Sequence, residues 1–167
     1  MAVYIALGAN LGDRRTNLTA AIILLPPDVV LEAVSPLYES EPQPPAPPPA
    51  YYNAAARIRT TLAPHDLLSY LKFIERRLGR TDTTHWAPRP IDLDIALYDD
   101  RVLDDADLVI PHPLLHERAF VLQPLLDLDP ALVHPRLGVT LASLLPPDAG
   151  LVRVAEAGWQ DRLVTDD

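Results

Sequence analysis

The chain has 167 residues, 49% hydrophobic and 22% charged, a length and balance that fit one globular domain with a real core. Cysteine is absent, which excludes a disulfide framework, a thiolate nucleophile and a Cys-based zinc site, and suits a reducing, cytoplasmic setting. The formal net charge of −9 argues against a nucleic-acid partner, and no apolar stretch is long enough to span a bilayer.

The first apolar run, Met1 to Leu7, has no basic leader and no spacer to a cleavage site, so residues 2–8 predict a buried strand rather than a signal peptide. Asn10-Leu11-Gly12-Asp13 is turn chemistry. Leu18, Ile22 and Leu25 follow at helical spacing until Pro26-Pro27 stops the helix. Val29 to Tyr38 predicts a strand with an edge or bend at Pro36. Residues 42–49 hold six prolines in eight positions, which precludes both helix and central strand and predicts an extended polyproline II loop. The PxxP pattern there also fits a peptide ligand, but its place between two strands of a small domain favours a rigid loop. Tyr51 to Thr61 reads as another strand.

Pro64 and Asp66 suit the first turn of a helix with Leu67, Leu71, Ile74 and Leu78 as its buried stripe and Gly79 just past its end. Lys72, Glu75 and Arg76 fall off that stripe. Thr81 to Pro90 has no periodicity and predicts a loop. Ile91 to Tyr98 is a strand, Asp99-Asp100 a turn, and Val102-Leu103 a short return. Phe120 to Leu128 and Thr140 to Leu145 predict helices, and the tail from Pro146 has no clear pattern. The order β-α-β, then β-α-β, predicts a single domain over 1–167. Its class is α+β, a ferredoxin-like sandwich of mostly antiparallel sheet with helices packed on it.

The sharpest chemical feature is Arg89-Pro90-Ile91-Asp92-Leu93-Asp94-Ile95. Alternate side chains on a strand share a face, so Asp92 and Asp94 point together while Ile91, Leu93, Ile95 and Leu97 point into the core. Two adjacent carboxylates repel unless a cation lies between them. Magnesium answers this with one or two carboxylates, its own waters and substrate phosphates. Arg89 adds a guanidinium that can grip phosphate oxygens. Five of the 14 basic residues, Lys72, Arg76, Arg77, Arg80 and Arg89, fall between 72 and 89, and Lys72 is the only lysine. Such a cluster is ordinarily a solvated helix face, but an acidic protein that binds a polyanion needs local cations or bound metal. Gly8 to Asp13 lies between strand and helix without the lysine of a P-loop, which favours a structural turn or a close ligand approach at Gly8. His112, between two prolines, can donate to a phosphate, and Arg118 can add charge; a lone loop histidine is more often a surface residue. Tyr51 and Phe120 sit at element boundaries, where aromatics more often belong to the core. From residues alone, another Asp-x-Asp nucleotidyl or phosphoryl transferase and a non-catalytic proline-rich interaction domain both stay open.

Together, Tyr4-Ile5-Ala6-Leu7-Gly8-Ala9-Asn10-Leu11-Gly12-Asp13, Ser35 to Ser40, Tyr52-Asn53-Ala54-Ala55, Arg89 to Ile95, Pro111-His112-Pro113 and Arg118-Ala119-Phe120 resemble the 6-hydroxymethyl-7,8-dihydropterin pyrophosphokinase family of folate biosynthesis. The resemblance implies transfer of the β,γ-pyrophosphoryl unit from ATP, as co-substrate, to a pterin alcohol, with AMP released. It implies two magnesium ions on Asp92 and Asp94, and catalytic roles for those two with Arg80 and Arg89. Tyr51 and Phe120 would sandwich the pterin, Asn53 would read its edge, and Ser40, Pro42 and Gly8 would complete that pocket. Glu75, Ile95, His112, Arg118 and Trp86 would line the ATP side. The expected partners are small molecules only, and the expected state is a monomer.

Three departures stand out. The loop Arg80-Thr81-Asp82-Thr83-Thr84-His85-Trp86 carries Asp82 where the family usually has arginine and is one residue short, so Lys72 or His85 becomes a candidate to compensate. The 42–49 loop is packed with proline where glycine-containing versions are familiar, which predicts a more preorganised pterin pocket. Pro113 replaces an aromatic often seen after the histidine.

Overall fold

The computed structural model describes residues 2–42, 44, 48–79 and 90–164. In chain order they form β1 (Val3–Ala9), α1 (Arg14–Ile23), β2 (Val29–Val34), β3 (Leu37–Ser40), β4 (Tyr51–Thr60), α2 (Pro64–Arg77) and β5 (Asp92–Tyr98). A small hairpin follows, β6 (Leu103–Asp104) with β7 (Val109–Ile110), then α3 (Ala119–Leu128), α4 (Leu141–Leu144) and β8 (Leu151–Ala155). The main sheet runs β5-β1-β4-β3-β8, with β2 also on β4, and its pairings are antiparallel. The fold is thus the expected ferredoxin-like α+β sandwich. Among the described residues, no helix is long and apolar enough to cross a membrane.

The sheet is covered on both faces, and the period-two alternation of its strands sorts the side chains. Val3, Ile5 and Leu7 of β1, Ala54 and Ile58 of β4, and Leu93 of β5 join Leu18 of α1 and Leu67, Leu71 and Ile74 of α2 in one apolar cluster. On the opposite face Tyr4, Ala55 and Leu97 pack with Leu122 and Leu125 of α3 and Leu141 of α4. Asp13 caps α1 by accepting the Thr16 N–H at 3.0 Å. Gly79 follows α2 with φ +93°, the left-handed conformation expected of a residue just past a helix end.

Four sequence expectations change. The strand predicted over Val29 to Tyr38 is two strands, broken at Ser35-Pro36. Ser35 fills the break: its Oγ accepts the Ala55 N–H at 2.9 Å and donates to Pro36 O at 2.8 Å. Glu75, placed off the buried stripe of α2, is only 2% exposed. Leu97 does not share a face with Leu93 and Ile95, because the β1–β5 register skips Ala96: Tyr4 faces Leu97 while Ile5 faces Ile95. That bulge swaps the alternation and sends Leu97 to the α3 layer. Finally, the tail is structured. β8 adds an outer strand on β3, and Trp159 is buried in the core beside α1.

Candidate active site

The site grows from one row across the sheet, on the face that carries α3. Gly8 of β1 pairs with Asn53 of β4 on one side and Asp92 of β5 on the other. Neighbouring strands lie ~4.8 Å apart, so Asp92 and Asn53 flank a floor roughly 10 Å wide. Ala6 and Gly8 keep that floor low. A Cβ added at Gly8 would lie 3.6 Å from Asn53 Oδ1 and 3.8 Å from Tyr51 Cδ1, so glycine leaves open a space that both side chains border. Asp94 stands one pleat along from Asp92, opposite Ala6. The two carboxylates therefore share a face, as their spacing predicts.

Glu75 holds this strand in place. Its Oε1 accepts the Leu93 N–H at 2.7 Å, between the two aspartates, and Lys72 Nζ lies 3.2 Å from its other oxygen. Among the described residues β5 is the outer strand beyond β1, and a buried side chain supplies the acceptor for its outward N–H. Sequence spacing held the signal: Glu75 is four residues after Leu71, on the margin of the buried stripe.

The electrostatics ask for a cation. Burial first, then the Asp92 carboxylate, pushes the Asp94 carboxyl up to about 7, with Glu75 adding and Lys72 and Arg118 opposing. The Asp94 side chain is nevertheless a third exposed (34%), so an ion can reach it. Two partly buried carboxylates that resist joint ionisation fit a divalent metal. Among the described residues no group of three or more His, Cys, Asp or Glu forms a closed cage. Open carboxylates completed by water and phosphate suit magnesium better than a structural zinc set.

His112 Nε2 lies 3.9 Å from Asp94 Oδ2. Its Nδ1 accepts the Leu114 N–H at 3.1 Å, so the neutral ring carries its proton on Nε2, facing the site. Burial, then Arg118, holds the imidazole down to about 4. The β5 bulge brings the loop here, because the carbonyl of the bulged Ala96 accepts the His112 N–H at 3.0 Å.

On the other side of the floor, Asn53 Nδ2 donates to Ser40 Oγ at 2.7 Å, and both residues are buried. Tyr51 pairs with Ser40, and the half-buried Pro42 lies just beyond β3. Phe120, in the first turn of α3, is partly buried with the Arg118 guanidinium 5.5 Å from its ring centre. Ile95 differs from the rest: its side chain is 4% exposed in the core, so only its backbone is available to a ligand. Arg80, Asp82, His85, Trp86 and Arg89 lie outside the described residues, as does half of the proline-rich 42–49 loop. One polar cluster has no counterpart in the sequence reading. The Tyr38 hydroxyl donates to Asp127 of α3, Arg153 of β8 donates to the same hydroxyl at 2.9 Å, and the Tyr38 phenol rises to about 12 through burial and then Asp127.

Residues 4–130 match the family described as 7,8-dihydro-6-hydroxymethylpterin-pyrophosphokinase (HPPK). The chain belongs to this family. The 2-amino-4-hydroxy-6-hydroxymethyldihydropteridine pyrophosphokinase of Pseudomonas aeruginosa is 46% identical over 135 residues, covering 80% of this chain and 83% of that protein. The folic acid synthesis protein FOL1 of Dictyostelium discoideum is 43% identical over 138 residues, 83% of this chain but 21% of that protein. The chain thus spans about a fifth of the longer folic acid synthesis proteins it matches. The crystal structure of wild-type Plasmodium falciparum HPPK-DHPS superposes with a TM-score of 0.70 at 16% identity, over 86% of this chain and 44% of that one. At that identity it speaks for the HPPK fold alone. The HPPK match includes β1 to α3 and hence the whole floor, while β8 and Trp159 lie beyond it.

Proposed function

We propose that this chain transfers the pyrophosphoryl unit of ATP to 6-hydroxymethyl-7,8-dihydropterin, releasing AMP, as a step of folate synthesis. The observation that carries it is the row Asp92–Gly8–Asn53, which sets a metal-competent carboxylate and an amide reader on either side of a bare floor within a chain of HPPK type. The pterin lies on the Asn53 side, its edge read by the amide that Ser40 orients, between the rings of Tyr51 and Phe120. ATP lies on the Asp94 side, where the neutral His112 donates through Nε2 and Arg118 supplies charge. The pterin hydroxyl oxygen attacks the β-phosphorus as the α,β-bridging bond breaks, and the hydroxyl proton leaves to solvent.

Asp92 and Asp94 would hold two magnesium ions. When bound, magnesium neutralises the polyphosphate and lowers the cost of forming an alkoxide, so no dedicated base is needed. The sequence resemblance would assign the remaining catalytic charge to Arg80 and Arg89, and a place on the ATP side to Trp86. Residues 1–167 act as one catalytic unit, working as a monomer in the cytoplasm on small molecules alone. Support for the single unit is that β8 and Trp159 complete the sheet and core that hold the site.

The test is incubation with magnesium, ATP and the pterin alcohol. AMP formed in step with pterin diphosphate is the expected result. ADP or free pyrophosphate as the product would overturn the assignment.

A further inference from the structure

We infer that Asn10 and Arg14 form a clamp on the back of the sheet that sets the position of Tyr51 and Asn53, making both of them positioning residues for the pterin and not for ATP. The inference rests on the pterin pocket proposed above. Four contacts converge. Arg14 Nη1, on the first residue of α1, donates to Ala50 O at 2.8 Å and lies 3.1 Å from Glu39 Oε2. Its guanidinium carbon sits 3.8 Å from the centre of the Tyr52 ring. Asn10 Nδ2 donates to Pro49 O at 3.3 Å, and Asn10 is 1% exposed. These bonds fasten the returning end of the proline-rich segment to the start of α1.

Strand alternation gives the clamp its effect. Glu39 and Tyr52 are directly paired between β3 and β4, and Tyr52 packs with the α1 and α2 core. Holding Tyr52 from that face fixes Tyr51 and Asn53 on the other, where Tyr51 pairs with Ser40 and Asn53 donates to it. Arg14 itself cannot reach a ligand on the α3 face. A planar guanidinium suits the task because it can stack on a ring while donating in its own plane to a carbonyl and a carboxylate. A proline-rich segment loses little entropy on being held, so two side chains suffice to fix its end. In the proposed placement ATP lies on the Asp94 side of the floor, away from this stem.

The experiment measures pterin and ATP affinities and melting temperature for wild type, Arg14→Met, Arg14→Lys, Glu39→Gln and Asn53→Ala. Arg14→Met is expected to weaken pterin binding about tenfold while ATP affinity stays within about twofold, the size expected when a distant change misplaces a binding group. Arg14→Lys should recover part of the loss, since the ammonium keeps the pairing but not the stacked plane. If Arg14→Met does not fold, Arg14→Lys and Glu39→Gln carry the test, and each should show a smaller loss of the same selectivity. Unchanged pterin affinity in the Arg14 variants, or equal losses for both substrates, overturns the clamp. Asn53→Ala separates the two failures. If it weakens pterin binding while the Arg14 variants do not, the pocket stands and the clamp falls. If it leaves pterin affinity intact, the pocket falls and takes the clamp with it.

Discussion

Asp94 is partly buried beside a second carboxylate, and its raised affinity for protons measures how badly that charge is compensated within the chain. Asp94→Ala removes this cost, so the variant should fold at least as well as wild type by thermal melting. Its turnover should nevertheless fall by roughly a thousandfold, because the carboxylate that would hold the charge-neutralising magnesium is gone. A stable variant with near-normal AMP formation would mean that Asp94 does not hold the catalytic metal. Glu75 predicts the opposite pattern. Glu75→Ala strands the Leu93 N–H, a buried donor whose loss of partner costs about 1–3 kcal/mol, whereas Glu75→Gln can still accept it. Denaturant titration should show the alanine variant clearly destabilised and the glutamine variant close to wild type. The pairing of Asp92 with Asp94 was legible from a period of two. Glu75 was legible only in its spacing from Leu71, because a carboxylate at the margin of a helical stripe looks solvated until the strand it serves is in place.

At the level of elements, the break at Ser35-Pro36 illustrates why boundaries escape a sequence. Proline marked a bend in the right position, but the repair depends on Ala55, twenty residues away, whose N–H takes the serine hydroxyl in place of a ladder carbonyl. Ser35→Ala should therefore cost about 1–3 kcal/mol, with Ser35→Thr recovering part of it if the extra methyl fits. The 134–139 turn yields a pH dependence. His134 is 3% exposed, its Nδ1 accepts the Leu137 N–H at 3.2 Å, and burial, then His116 and Arg136, hold its imidazole below the ordinary value. The unfolded chain then binds the proton more readily than the folded one. The His134 contribution is complete above pH ~6.5 and is lost as pH falls through the lower folded value. His134→Asn, whose side-chain oxygen can accept the same N–H without titrating, should flatten the acid limb of a stability profile between pH 7.5 and 5. An unchanged limb would remove His134 as its source.

For the molecule as a whole, the tail shows where local pattern runs out. In Leu151-Val152-Arg153-Val154-Ala155 both valines are exposed, and Arg153, itself 44% exposed, reaches Tyr38 and Asp127. β8 is specified by that polar cluster and by Trp159 behind it, both long-range features with no local period. Trp159 is 1% exposed, its Nε1 donates to Ser35 O at 2.9 Å, and its own carbonyl accepts from Arg15 at 2.8 Å. It therefore ties the last residues of the chain to the strand break and to α1 together. If the tail belongs to the same cooperative unit as the sheet, Trp159→Ala should lower unfolding free energy by about 3–5 kcal/mol, the usual cost of emptying a large aromatic site. Trp159→Phe should cost less, keeping most of the volume but leaving Ser35 O without its donor. Turnover of the folded fraction should be retained in both, since Trp159 packs on the face opposite Asp92 and Asp94. Denaturant unfolding with an unchanged slope is the measurement, because it separates a lost contact from a detached tail. A lower slope with an unmoved midpoint for the sheet would show that residues after 145 unfold on their own, and the sandwich would then end at α4.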